Sequence, residues 1–255
     1  MSNLANGNLA SEIESPDRSA AIAEVIRERA DPARVRADRV DQLYSQLPLG
    51  MVATIAIGVI AAVELREGRF IELVLFWGGL LILVVALHAM LYLGYRNETR
   101  KVENTAQWLR WFGIGAFAAG AVWGFAAAVF FPSHADERQV FLAFLLAGVM
   151  SGGIPMYAAS WPIFAAYAAA IALPFTYVLA TFGNRLFAEI ALLIPLFYGV
   201  SVAIAYRLND VFLSGYRLRH AYQRQLVELE EARRQIEASG RKLALFAERS
   251  PIAVL

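Results

Sequence analysis

The chain has 255 residues, 58% of them hydrophobic and 18% charged, with a formal net charge of +1 and no cysteine. This composition belongs to an integral membrane protein rather than to one or two soluble globular domains. It presents no strongly basic surface for nucleic acid, and it excludes disulfides, thiol catalysis and Cys-ligated metals.

In chain order, residues 1–46 read as an N-terminal tail. Its opening is rich in Ser, Asn and Gly and is expected to be disordered. From about Ser19 the composition turns helical, with Asp31-Pro32 as a break. The stretch VRADRVDQLYSQL then leads into the first apolar run and reads as a solvated amphipathic helix. The tail is polar, the first apolar run is long and no cleavage site follows it. A secretory signal peptide is therefore not expected, and the first span stays.

Charged residues act as rulers for the spans. Between Asp41 and Glu64 lie 22 uncharged residues, between Glu72 and Arg96 23, and between Arg110 and Asp136 25. From Gln139 to Asn184 there are 46 residues without a charge, enough for two spans with a break at Ser160, Trp161 and Pro162. A sixth run, Leu186 to Tyr206, is interrupted only by Glu189. A helix of about 20 residues crosses the hydrocarbon core, so residues 47–206 are expected to form a six-helix transmembrane bundle. The runs are continuous rather than period-two, which excludes barrel strands. Thirteen Arg and Lys flank the side that carries both termini and four flank the other. That bias orients both termini toward the cytoplasm.

Within the spans, His88 is an ionisable group at mid-depth, costly in hydrocarbon and a functional candidate for that reason. His134 and His220 cannot reach its depth, so a metal site is not expected, nor is any other cofactor. The simplest reading is a neutral imidazole bonded to a neighbouring helix. The only lysines, Lys101 and Lys242, lie outside the spans and exclude a retinal Schiff base. Glu64, Glu72 and Glu189 sit near span ends, and Arg185 and Glu189 have the spacing of an (i, i+4) pair. Gly120 and Gly124, with Ala116, have the spacing that lets helices approach closely in lipid, and Gly148 and Gly152 repeat it. The fourth span continues as SGGIPMYAASWP, where Pro155 removes a backbone donor after two glycines. A kinked helix lined by Ser151, Tyr157, Trp161 and Tyr167 would hold a small lipophilic ligand, with hydroxyl and indole groups orienting it. A packing kink with an interfacial aromatic belt is the simpler reading of the same residues.

After the sixth span, residues 207–247 carry a heptad register. Leu208, Gly215, Tyr222, Leu229, Ile236 and Leu243 occupy the first core position. Val211, Leu218, Gln225, Ala232, Ser239 and Phe246 occupy the fourth. This is the pattern of a parallel two-stranded coiled coil, weakened by Gly215, Gln225, Ala232 and Ser239. It implies a homodimer. A single solvated helix is the alternative.

The phrase LALFAERSPIAVL follows, and its Leu245, Phe246, Ser250, Pro251, Ile252, Ala253 and Val254 resemble the opening of a PAS domain. The phrases LYSQLPLG (43–50), WLRWF…GAVWGFAAAVFFPS (108–133) and FLAFLLAGVMSGG (141–153) also resemble the six-span N-terminal sensory regions of bacterial PAS-containing signalling proteins. In those proteins the output is a GGDEF–EAL cyclic-di-GMP enzyme or a hybrid sensor histidine kinase. The resemblance implies a membrane input module without catalytic residues of its own, with residues 248–255 beginning a PAS domain. It also implies an output enzyme downstream, the bacterial inner membrane as location, and the lipid bilayer and a second copy as partners. A small transporter or channel is the competing function. It requires intramembrane charge pairs or an inverted repeat, and the sequence has neither. An intramembrane enzyme ranks last, for want of His, Asp or Glu clustered at one depth.

Overall fold

The computed structural model describes residues 32–66, 71–131, 136–181 and 185–249. The expected disordered tail, the outer loops with His134, and the Ser250–Val254 part of the PAS-like phrase lie outside them. So do the side chains of Leu218, His220, Leu243 and Phe246.

Among the described residues every regular element is a helix. These are α1 (Pro32–Leu65), α2 (Ile71–Arg96), α3 (Thr105–Phe130), α4 (Asp136–Tyr157), α5 (Trp161–Thr181) and α6 (Arg185–Arg249). Six are long and apolar enough to cross a membrane. Their outer faces carry large apolar side chains such as Ile82, Phe144, Leu173 and Leu192 in the open. A water-soluble bundle would bury such residues, whereas lipid solvates them. One compact unit covers Pro32–Phe212. The 213–249 portion of α6 is described by itself below.

The bundle is organised around α3, the most buried of the spans. Gly120 and Gly124 lie so close to α5 that an added Cβ would meet the carbonyl oxygens of Tyr167 and Ala170. Such backbone proximity replaces the hydrophobic drive that lipid does not supply. Trp77 on α2 is fully buried, and its Nε1–H donates to the Val122 carbonyl of α3 at 3.0 Å. Its ring meets Trp123 and Phe130 edge-on.

The reading of residues 35–47 as a solvated lead-in is corrected. Helix α1 begins at Pro32 and runs through Pro48 without a break. Val40, Leu43, Tyr44 and Leu47 are at most 2% exposed. Tyr44 stacks on Tyr95, with centroids 4.1 Å apart, and donates its hydroxyl to the Trp108 carbonyl at 3.1 Å. Lys101 Nζ lies 3.3 Å from Asp41 Oδ1 and 4.5 Å above the Tyr95 ring. One face of the lead-in is therefore packed on the α2–α3 connection, because its apolar stripe continues that of the span.

Helix α4 also departs from expectation. It runs unbroken through Ser151-Gly152-Gly153 to Tyr157. Pro155 falls in the last turn, so its missing N–H deprives only the Ser151 carbonyl. Three buried residues, Ala158 to Ser160, then reverse the chain. The Ser160 N–H donates to the Tyr157 carbonyl at 2.8 Å, and the Ser160 carbonyl accepts from Ile163 and Phe164.

Candidate ligand cavity

A cavity of about 100 Å³ opens between five of the helices. Helix α1 contributes Leu47, Gly50 and Thr54; α2 contributes His88; α3 contributes Trp123. Helix α4 supplies Gly148, Gly152, Met156 and Tyr157, and α5 supplies Tyr167. None of its lining residues is charged.

Each polar side chain is placed by its own helix. His88 is 7% exposed, and its Nδ1 lies 3.0 Å from the Val84 carbonyl, one turn back on α2. A carbonyl only accepts, so the proton sits on Nδ1 and leaves Nε2 of the neutral ring as an acceptor. The expected bond to a neighbouring helix is thus replaced by one within α2. Gly115 of α3 makes room for the ring: a Cβ there would stand 3.2 Å from Nε2. Tyr167 donates its hydroxyl to the Val149 carbonyl at 3.1 Å, tying α5 to α4. Its ring lies 4.9 Å from that of Tyr157, and Gly153 leaves space for it. Tyr157 also meets Phe112 edge-on at 5.9 Å.

Of the five residues expected at a ligand site, the cavity brings together His88, Tyr157 and Tyr167. Ser151 faces outward on α4. Trp161 starts α5, partly exposed, with its ring edge-on to Tyr206 at 5.9 Å. Sequence reasoning passed over Trp123. The signal available was an indole N–H at mid-span, which needs a partner when buried. The Gly148–Gly152 pair does not pack helices: a Cβ at either meets nothing within 4 Å. Among the described residues no group of three or more His, Asp or Glu is placed to hold a metal ion.

A second polar feature lies at the end of the bundle that carries the start of α1. Arg39 Nη2 donates to Asn209 Oδ1 of α6 at 2.8 Å. Asn209 is 4% exposed, and the Arg39 Nε is buried without a partner. At the opposite end, the Arg185–Glu189 pair forms on the surface at 3.1 Å.

Of the seam positions in α6, Leu208 is half-buried, while Val211, Tyr222, Leu229 and Ile236 are exposed. Comparison with known protein families, curated proteins and solved structures returned no match.

Proposed function

We propose that this chain is the membrane-embedded input module of a bacterial signal-transduction receptor, seated in the inner membrane with both termini in the cytoplasm. A signal in the membrane, or a lipophilic ligand, biases the bundle. The bias passes along α6, paired with its copy in a homodimer, to a PAS domain and then to an output enzyme for cyclic-di-GMP turnover or histidine phosphorylation. The chain itself performs no catalysis in this reading.

The observation that carries the proposal is α6. It is one helix over Arg185–Arg249, and its seam residues Val211, Tyr222, Leu229 and Ile236 are 61–72% exposed. Apolar residues at heptad spacing need a partner helix to leave water. The Arg39–Asn209 bond adds a point at which movement of α1 reaches α6. The uncharged cavity gives the alternative of an ion-coupled transporter no support.

The test is disulfide cross-linking in native membranes. The chain has no cysteine of its own, so Leu229→Cys and Ile236→Cys each report on one contact. Both are expected to cross-link, while exposed off-seam Glu230→Cys is not. Equal cross-linking at all three, or none at the seam, overturns the dimeric signalling helix.

A further inference from the structure

We propose that the cavity binds an uncharged lipophile whose polar group is a single carbonyl, in chemical class a long-chain ketone. The carbonyl oxygen accepts from the Trp123 Nε1–H, and the chain enters from lipid past Gly148. The inference deepens the input-module reading and rests on it only for the consequence of binding.

The argument starts from one unmet donor. Buried Trp77 and half-buried Trp108 both donate their indole N–H, to the Val122 carbonyl at 3.0 Å and to Glu98 Oε2 at 3.3 Å. Trp123 is 2% exposed, and its N–H has no hydrogen-bond partner among the described residues. The edge-on Trp77 ring beside it offers no lone pair. The sealed, unpartnered side-chain atoms among the described residues are Arg39 Nε and Gln139 Oε1. The Trp123 nitrogen is not one of them, so it keeps accessible surface. Trp123 is otherwise enclosed and lines the cavity, so that surface is the cavity's.

The register of α3 against α4 places an opening beside this donor. Phe112 meets Tyr157 edge-on at 5.9 Å, and Gln139 Nε2 donates to the Phe131 carbonyl at 3.0 Å. The two helices therefore run antiparallel between these ties. Trp123 lies eight residues before Phe131, and Gly148 lies nine after Gln139. At about 1.5 Å per residue, the two share a level to within one turn. Gly148 is exposed, and a Cβ there would meet nothing within 4 Å. It leaves an opening toward lipid at the depth of the indole.

The same counting separates Trp123 from the other polar groups of the cavity. His88 Nε2 lies against Gly115, eight residues back on α3 and about 12 Å along its axis. Tyr157 lies at Phe112, about 16 Å along that axis. Thr54 is four residues past Gly50, which holds Met156, and so stands level with Gly152, about 6 Å from the level of Gly148. The Tyr167 hydroxyl already donates to the Val149 carbonyl. A head at Trp123 therefore meets one donor.

That donor selects the head. An indole N–H only donates. A ketone oxygen only accepts and brings no proton of its own. A hydroxyl also accepts, but its proton finds no side-chain acceptor at that level, which is costly in hydrocarbon. Carboxylate and ammonium heads are opposed because no charged residue lines the cavity. An alkane leaves the indole unmet. Lipid esters lie in the interfacial region, whereas Trp123 is seven residues, about 10 Å, inside the Phe130 end of α3. The carbonyl is therefore brought by a separate lipophile. About 100 Å³ holds its head and first carbons, and the chain continues among lipid past Gly148.

The test uses the chain of residues 1–255 in lipid nanodiscs, with a diazirine-bearing 2-tridecanone as photoprobe. Labelling is expected to saturate and to map to α3 and α4. Unlabelled 2-tridecanone is expected to compete at concentrations roughly 10-fold below those of tridecane, the effect of one hydrogen bond, and below those of 2-tridecanol. Trp123→Phe keeps a ring but removes the donor, and is expected to bring the ketone and the alkane to equal competition. Gly148→Leu fills the opening and is expected to abolish saturable labelling with unchanged thermal stability. Non-saturable labelling, equal competition by tridecane or 2-tridecanol, a ketone preference that survives Trp123→Phe, or full labelling of Gly148→Leu overturns the proposal. If labelling behaves as expected and 2-tridecanone leaves Leu229→Cys cross-linking unchanged, the site stands and the signalling reading fails. If seam cross-linking holds and labelling does not saturate, the site fails and the reading stands.

Discussion

Glycine does opposite work at two pairs of positions with the same spacing. Gly124 of α3 lies against the Ala170 carbonyl of α5, and Gly148 of α4 lies against nothing. Gly124→Ala is expected to destabilise the bundle by about 1–3 kcal/mol through overpacking. Gly148→Ala should stay within about 0.5 kcal/mol of the parent. Thermal unfolding of both in one detergent measures the contrast. Spacing alone could not separate the pairs, because the difference lies in which neighbour each helix face meets. Glu98, between α2 and α3, makes a second residue-scale case. Its carboxylate accepts the Arg100 N–H at 2.9 Å, and Asn104 Nδ2 and Trp108 Nε1–H at 3.3 Å. These donors, the Arg100 amide foremost, hold its pKa below the usual carboxylate range. A depressed value means that its contribution is complete above the ordinary carboxylate range and is lost as pH falls through the lowered one. Protection factors of the amides across residues 97–104, taken relative to the intrinsic exchange rate at each pH, should therefore fall on acidification, and Glu98→Gln should remove that pH dependence.

At the scale of elements, the rulers set by charge located all six helices, because hydrocarbon excludes ionised groups whatever the tertiary contacts. The ends were harder to read. The segment before the first span is polar enough to pass for solvated, yet its Val40, Leu43 and Tyr44 are buried. Proline was a weak guide as well: Pro48 and Pro155 lie inside helices. Helix α6 is tied to α1 by Arg39 and Asn209. Asn209→Ala leaves a partly buried guanidinium without its acceptor and is expected to cost about 1–3 kcal/mol. Asn209→Asp keeps an acceptor and adds opposite charge, and should hold or raise stability. Thermal unfolding of the two variants, compared with the parent, gives the sign; equal losses in both would remove the tie from the account.

For the whole molecule, the distribution of Arg and Lys makes a topological prediction. In the cysteine-free background, Thr99→Cys precedes α3 in the sequence and Ser133→Cys follows it. In intact cells an impermeant maleimide should label Ser133→Cys and spare Thr99→Cys until the membrane is opened. Labelling in the reverse order would invert the orientation. What the sequence by itself determined is the set of apolar helices and the heptad pattern after them. Both follow from local periodicity and the cost of charge in lipid, and need no knowledge of neighbours. Which residues meet was decided by tertiary structure alone. His88, Trp123, Tyr157 and Tyr167 come from four helices, and they share a cavity because α3 closes on α5 at Gly120 and Gly124 while α4 stands open at Gly148 and Gly152. In a membrane all faces of a span are apolar, so the sequence carries little sign of which face turns inward.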